Sequence, residues 1–194
     1  LEELVQETQS DAAELSEALQ IQIVRGELEI ESEGRRIVVR IKERGSFAPG
    51  TADLAPDYYA VIAIIREVIA KREGAVAVEG HTDDINIRSN RFRSNWDLSA
   101  MRAVSVAQEL FIDNVLDSRR FAVTGFADAQ PLVPNDSVQN RDRNRRVEIV
   151  IRQAIDPTLQ EQIEALKNVD PELYQNFGLE EPPGIYNLPP SSIF

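Results

Sequence analysis

The sequence predicts an α/β sandwich, a sheet covered by helices, and three observations carry that prediction. Short apolar runs rich in β-branched residues alternate with stretches whose apolar positions recur every three or four residues. Hydrophobic residues make up 42% of the 194-residue chain, an ordinary globular share, enough for one good core with terminal segments to spare. Cysteine is absent, so no disulfide framework or thiolate metal site replaces that core.

The elements follow in order. Leu4, Thr8, Ala12, Leu15 and Leu19 recur at helical spacing, which predicts a helix from Leu1 to Leu19. It either packs on the domain as an amphipathic helix or serves as a connector. Leu28 to Glu31 alternates like a half-buried strand, and Arg35 to Ile41 is a β-branched run, with Glu33-Gly34 as the turn between them. Phe47 to Leu54 reads as a loop leading into a helix, where Tyr58, Val61, Ile62, Ile65 and Ile69 share a face and Gly74 closes the end. Ala75 to Glu79 is a short central strand, Asn95 to Phe111 a helix, Phe121 to Phe126 a strand and Val147 to Ile151 another. Asp156 to Val169 is a further helix with Asp156 at its N-cap and Pro157 at its first position. The end, with Pro182, Pro183, Pro189 and Pro190, is expected to be extended and poorly ordered.

Charge narrows the function classes. A formal net charge of −12 excludes the basic footprint of a nucleic-acid binder and simple electrostatic attraction to an anionic membrane. No apolar run reaches the length of a membrane span. The chain begins at Leu1 without a signal-peptide pattern, which reads as a fragment or processed form.

The chemistry-bearing residues gather in two stretches. Asn95, Ser99 and Arg102 fall at i, i+4 and i+7 and share one helix face, while Trp96, Ala100, Ala103, Ala107 and Leu110 form a separate stripe assigned to the core. The helix start offers backbone N–H groups and a partial positive charge, and Arg102 offers a planar guanidinium, both suited to a carboxylate. Asp83 lies just past a strand end, where α/β sheets place ligand sites. An acid and a guanidinium side by side complement a zwitterion; equally, Asp83 and Arg102 could pair with each other and tether loop to helix. Trp96 fits the core better than a sugar-stacking platform, and Asn86, Asn90 and Asn135 fit turns. His81 is the one histidine of the chain, with no second ligand cluster at metal spacing and no nucleophile–base pair, so catalysis and cofactor chemistry are not expected and His81 reads as a hydrogen-bonding residue at the strand end.

Gly80-His81-Thr82-Asp83, Asn95-Trp96-Asp97-Leu98-Ser99 with Arg102-Ala103, and Asn144-Arg145-Arg146, in that order, resemble the motifs of the OmpA-like peptidoglycan-binding domain. Tryptophan after the asparagine and the long loop from Asp84 to Ser94 are most similar to the periplasmic half of flagellar-motor stator proteins of the MotB/PomB type. The resemblance runs from about Phe47 to Ile151. It implies a βαβαβ core with helices on one face of a mixed sheet, and residues 1–46, 47–154 and 155–194 as linker helix and strands, peptidoglycan-binding domain, and C-terminal helix with Pro-rich tail. It further implies that Asp83 and Arg102 hold the diaminopimelate of the stem peptide. Asn95, Arg145, Arg146, Thr82, Leu98 and Ser99 match other motif positions. A homodimer, a multi-spanning stator subunit of the MotA/PomA type reached through a missing membrane helix, and flagellar basal-body ring proteins are the implied partners. The implied setting is the periplasmic side of a bacterial inner membrane. A static anchor in an outer-membrane protein or lipoprotein is the alternative.

Overall fold

The computed structural model describes residues 2–179. Among them a five-stranded mixed sheet runs in the order β1-β2-β5-β3-β4, built from β1 (Leu28–Glu33), β2 (Arg36–Lys42), β3 (Gly74–His81), β4 (Phe121–Gly125) and β5 (Arg146–Gln153). β1–β2, β2–β5 and β3–β5 are antiparallel, and β3–β4 is parallel. The parallel pair is joined through α5 (Asn95–Leu110), since parallel strands require a crossover. β5 therefore holds the middle of the sheet, and β3, expected as the central strand, is its neighbour.

Period-two alternation decides which residues meet the helices. Ile37, Val39 and Ile41 of β2, Val76 and Val78 of β3, and Val147, Ile149 and Ile151 of β5 face one side. There they join Leu15 of α1 (Glu2–Ala18), Leu19, Ile62, Ile65 and Ile69 of α4 (Asp57–Ala70), and Ala103, Val106 and Leu110 of α5 in a single core. The opposite face carries a small apolar patch, Val38, Ala77 and Val150, beside a charged row. The α/β sandwich with helices on one face is thus the fold observed.

The N-terminal helix packs on the domain. Thr8, Ala12 and Leu15 are buried, Leu4 is half-buried, and buried Asp11 accepts from Arg72 Nε (2.8 Å), Arg72 Nη2 (3.1 Å) and Gln153 Nε2 (2.9 Å). α2 (Gln20–Val24) then leads into β1. After β2, Glu43–Ser46 (α3) is a single turn broken by non-helical backbone at Arg44 and Gly45.

Two expectations are corrected here. Gly74 does not close α4, which ends at Ala70 with Lys71 as its C-cap. Gly74 opens β3 at φ 131°, where an added Cβ would stand 2.0 Å from the Arg152 carbonyl oxygen, so the close β3–β5 approach demands glycine. Asp156 caps and Pro157 opens a helical stretch that ends at Val169 as expected, but its first turn, Pro157–Leu159, is 3-10, with the Asp156 carboxylate accepting from Thr158 N and Oγ1; α7 (Gln160–Val169) follows directly and α8 (Pro171–Asn176) comes after it. α6 (Val138–Asn144), a short helix before β5, had no sequence counterpart. The proline-rich end at 180–194 lies outside the described residues.

Candidate functional site

At the carboxyl ends of β2 and β3 and the start of β5, the helix-facing rows run out of apolar residues. The row Ile37, Val39, Ile41 continues into Glu43, and Ile151, Ile149, Val147 into Arg145, with Glu43 N donating to the Arg145 carbonyl (3.0 Å). β3 continues into Thr82 and Asp83. The apolar layer thus gives way to a charged one at the end of the sheet.

Asp83 is 5% exposed. Its Oδ1 accepts from Ile85 N (3.0 Å) and its Oδ2 from Arg145 Nη1 (2.5 Å). Arg145 also forms an ion pair with Glu43, Nε lying 2.6 Å from Oε2, and donates Nη2 to Asp142 Oδ1 (2.8 Å). The second Glu43 oxygen, Oε1, accepts from Arg102 Nη2 (2.5 Å). Arg102, 1% exposed, donates Nε to the Thr51 carbonyl (2.7 Å) and lies over the Phe47 ring at 5.3 Å from its centroid. Acid and guanidinium therefore alternate along Asp83, Arg145, Glu43 and Arg102. Asp83 and Arg102 do not pair with one another as the sequence allowed; Arg145 and Glu43 stand between them. Burial pulls the Arg102 guanidinium below its ordinary pKa, opposed by the Glu43 charge. Burial also pulls on Arg145, but Asp83, Glu43 and Asp142 outweigh it and leave that group above its ordinary value.

The supporting residues hold this arrangement by hydrogen bonds. Asn95 Nδ2 donates to the carbonyls of Asp83 (3.2 Å) and Ile85 (3.1 Å), and its Oδ1 accepts from Ile87 N (3.0 Å), so it clamps the loop after β3. Ser99 Oγ accepts from Ala127 N (3.0 Å), and Thr82 Oγ1 donates to the Asp83 carbonyl (2.8 Å). Leu98 packs with Ala52 and Phe92 beneath the loops. Arg146 is turned to the other face of the sheet, with Nε on Glu148 Oε1 (2.6 Å) and Nη1 on the Asn144 carbonyl (3.0 Å), and is not brought into the cluster. The N-terminus of α5 is capped by its own Ser94, whose hydroxyl accepts from Asp97 N.

Sequence reasoning missed Glu43, which has only its place one residue beyond a strand row to mark it. It named Asn144 in a motif without giving it a role; fully buried, its side chain clamps Leu132 to Asn135 much as Asn95 clamps its own loop. Trp96 is not core: it is 55% exposed, because the buried stripe of α5 is the one through Asn95, Ser99 and Arg102. His81 makes no hydrogen bond through either ring nitrogen; it stacks on Phe126. Glu79, His81 and Glu148 do bring ligand atoms within 4.8 Å of one another. Glu148, however, is already engaged by Arg146 and by Arg40 Nε (3.1 Å), and two guanidiniums beside it oppose a cation there.

The OmpA family model matches residues 46–145. The chain is 31% identical to motility protein B of Bacillus subtilis over 126 residues, 64% of this chain and 48% of that protein. A solved MotB-like protein from Desulfovibrio vulgaris superposes with a TM-score of 0.70 at 32% identity, covering 79% of this chain and 98% of that one. The cell wall anchor of the T6SS from Pseudomonas aeruginosa gives a TM-score of 0.66 at 34% identity, covering 72% and 97%. The chain spans about half the length of the curated relatives it matches.

Proposed function

The chain belongs to the OmpA family, with an OmpA-like domain of the MotB type, and on that premise we propose that it is a non-catalytic module that binds peptidoglycan through the diaminopimelate of the stem peptide. The observation that carries the reading is the alternation of Asp83, Arg145, Glu43 and Arg102 at the end of the sheet, its two ends buried and Glu43 and Arg145 half-buried. A zwitterionic amino-acid centre needs one carboxylate for its ammonium and one guanidinium for its carboxylate. Asp83 takes the first role, and Arg102 with Arg145 the second. Asn95, Thr82 and Ser99 hold the loops in place, Leu98 packs under them, and Arg146 braces the start of β5. The ligand-binding unit is 47–154 together with β1, β2 and Glu43 from before it, which complete the sheet and the charged cluster; the residues ahead of β1 are its connection on one side and 155–194 its extension on the other.

The likeness to motility protein B favours the periplasmic part of a flagellar stator subunit. In that setting two copies anchor an ion-conducting complex, built with a multi-spanning subunit of the MotA/PomA type and abutting basal-body ring proteins, so that ion flow yields torque on the rotor. Among the described residues no helix is long and apolar enough to cross a membrane. The likeness to a T6SS cell wall anchor favours a second reading, a static anchor with the same ligand. Co-sedimentation with purified peptidoglycan tests the shared claim. Asp83→Asn and Arg145→Gln each remove one charge-assisted contact, about 1.5–3 kcal/mol, so retention should fall roughly tenfold or more while circular dichroism is unchanged. Undiminished retention of both folded variants would remove this site from the reading.

A further inference from the structure

We propose that Glu43 occupies the seat of the ligand carboxylate, so that binding is an exchange of one carboxylate for another. The inference rests on reading the site as one that takes a carboxylate. Its basis is that neither guanidinium is vacant. One Glu43 oxygen lies 2.5 Å from Arg102 Nη2 and the other 2.6 Å from Arg145 Nε, a single carboxylate bridging two cations. Two guanidiniums held together, Arg102 buried and Arg145 half-buried, need an anion between them, and the chain supplies its own.

Glu43 also stands between Arg102 and any incoming group. Arg102 is 1% exposed, enclosed by Glu43 at Nη2, the Thr51 carbonyl at Nε and the Phe47 ring over its guanidinium. Its orientation does not depend on Glu43 alone: Nε is fixed by the Thr51 carbonyl and the guanidinium by the Phe47 ring, so it stays aimed once Glu43 leaves. Glu43 has somewhere to go. It opens a turn whose next residues, Arg44 (ψ 112°) and Gly45 (φ 97°), break helical geometry, and it lines a cavity of about 500 Å³ with Gly45, Phe47, Pro49 and Arg145. The observed state is the self-liganded one, and its population sets a penalty on apparent affinity, because a ligand binds only the fraction with Glu43 displaced.

The test pairs a ligand-free readout with a binding one, on wild type, Glu43→Gln and the shorter Glu43→Asp, each checked for folding by circular dichroism. Arginine-specific labelling with phenylglyoxal, resolved by peptide mass, should leave Arg102 protected in wild type and label it at least about tenfold faster in Glu43→Gln, with Glu43→Asp between. Binding of meso-diaminopimelate and of purified peptidoglycan should tighten in the same order, by about tenfold for Glu43→Gln. Unchanged Arg102 labelling in both folded variants, or weaker binding than wild type, overturns the exchange; weaker binding would make Glu43 a ligand contact instead. Faster labelling with no binding by any form upholds Glu43 as the occupant and overturns the peptidoglycan reading alone.

Discussion

His81 sits 1% exposed against Phe126 with neither ring nitrogen hydrogen-bonded, on the sheet face that also carries Arg146, Glu148 and Arg40. Burial, with the Arg146 charge adding to it, lowers its pKa from 6.5 to about 4. The unfolded chain thus binds a proton near pH 6.5 that the folded chain refuses until about pH 4. The stability this contributes is complete above pH 6.5 and is lost as the pH falls toward 4, a loss on the order of 3 kcal/mol. Burial pushes the Glu148 carboxyl up, but Arg146 and Arg40 outweigh it and hold that group below its usual range, so its own contribution is lost at lower pH still. Urea denaturation between pH 7 and 4 checks this: His81→Gln should flatten the slope, and an equally steep slope in the variant would assign the loss to other groups. Asp83, Asn95 and Arg102 were legible in the sequence because their types and spacing match a motif. Glu43 was not, because nothing local distinguishes it from the exposed acids of an acidic chain; only the pairing of β2 with β5 sets it beside Arg145.

At the scale of elements, the phase of α5 shows where periodicity fails. Its buried stripe is Asn95, Ser99, Arg102, Val106 and Leu110, polar in its first half because that half faces the site. A search for apolar positions therefore picks Trp96 and Ala100 there, and finds the true face only at Ala103, Ala107 and Leu110. The depth at which α5 sits has a different cause. Cβ atoms added at Gly80 and Gly125 would stand 1.9 Å from the Ser99 carbonyl oxygen and 2.4 Å from Ala100 N, so these two residues let the helix backbone lie directly on the ends of β3 and β4. That contact sets the height of Asn95, Ser99 and Arg102. Gly80→Ala must lift the helix start, at about 1–3 kcal/mol or more, and should weaken peptidoglycan retention along with the thermal midpoint. A midpoint and retention equal to wild type would mean that α5 is not positioned by this approach.

For the whole molecule, alternation of strands and helices was enough to read the sandwich, because each element's pattern is local. Strand order was not readable, since the antiparallel pairing of Arg40 with Glu148 joins segments far apart in sequence and leaves no local mark. The docking of α1 was only half readable: Ala12, Leu15 and Leu19 announce an apolar stripe, whereas the buried bonds from Asp11 to Arg72 and Gln153 come from a residue that patterning places on the surface. The same assembly divides the arginines between two faces. Arg102 and Arg145 lie at the end of the helix-facing rows, while Arg40 and Arg146 lie on the opposite side. Nuclear magnetic resonance of arginine side chains, followed while meso-diaminopimelate is added, uses that division to test the central claim directly. The account predicts saturable shifts at the Arg102 and Arg145 Nε–H groups, no response at Arg40 and Arg146, and loss of the response in Asp83→Asn. Saturable shifts confined to Arg40 and Arg146, or none at Arg102 and Arg145 up to saturating ligand, would contradict it.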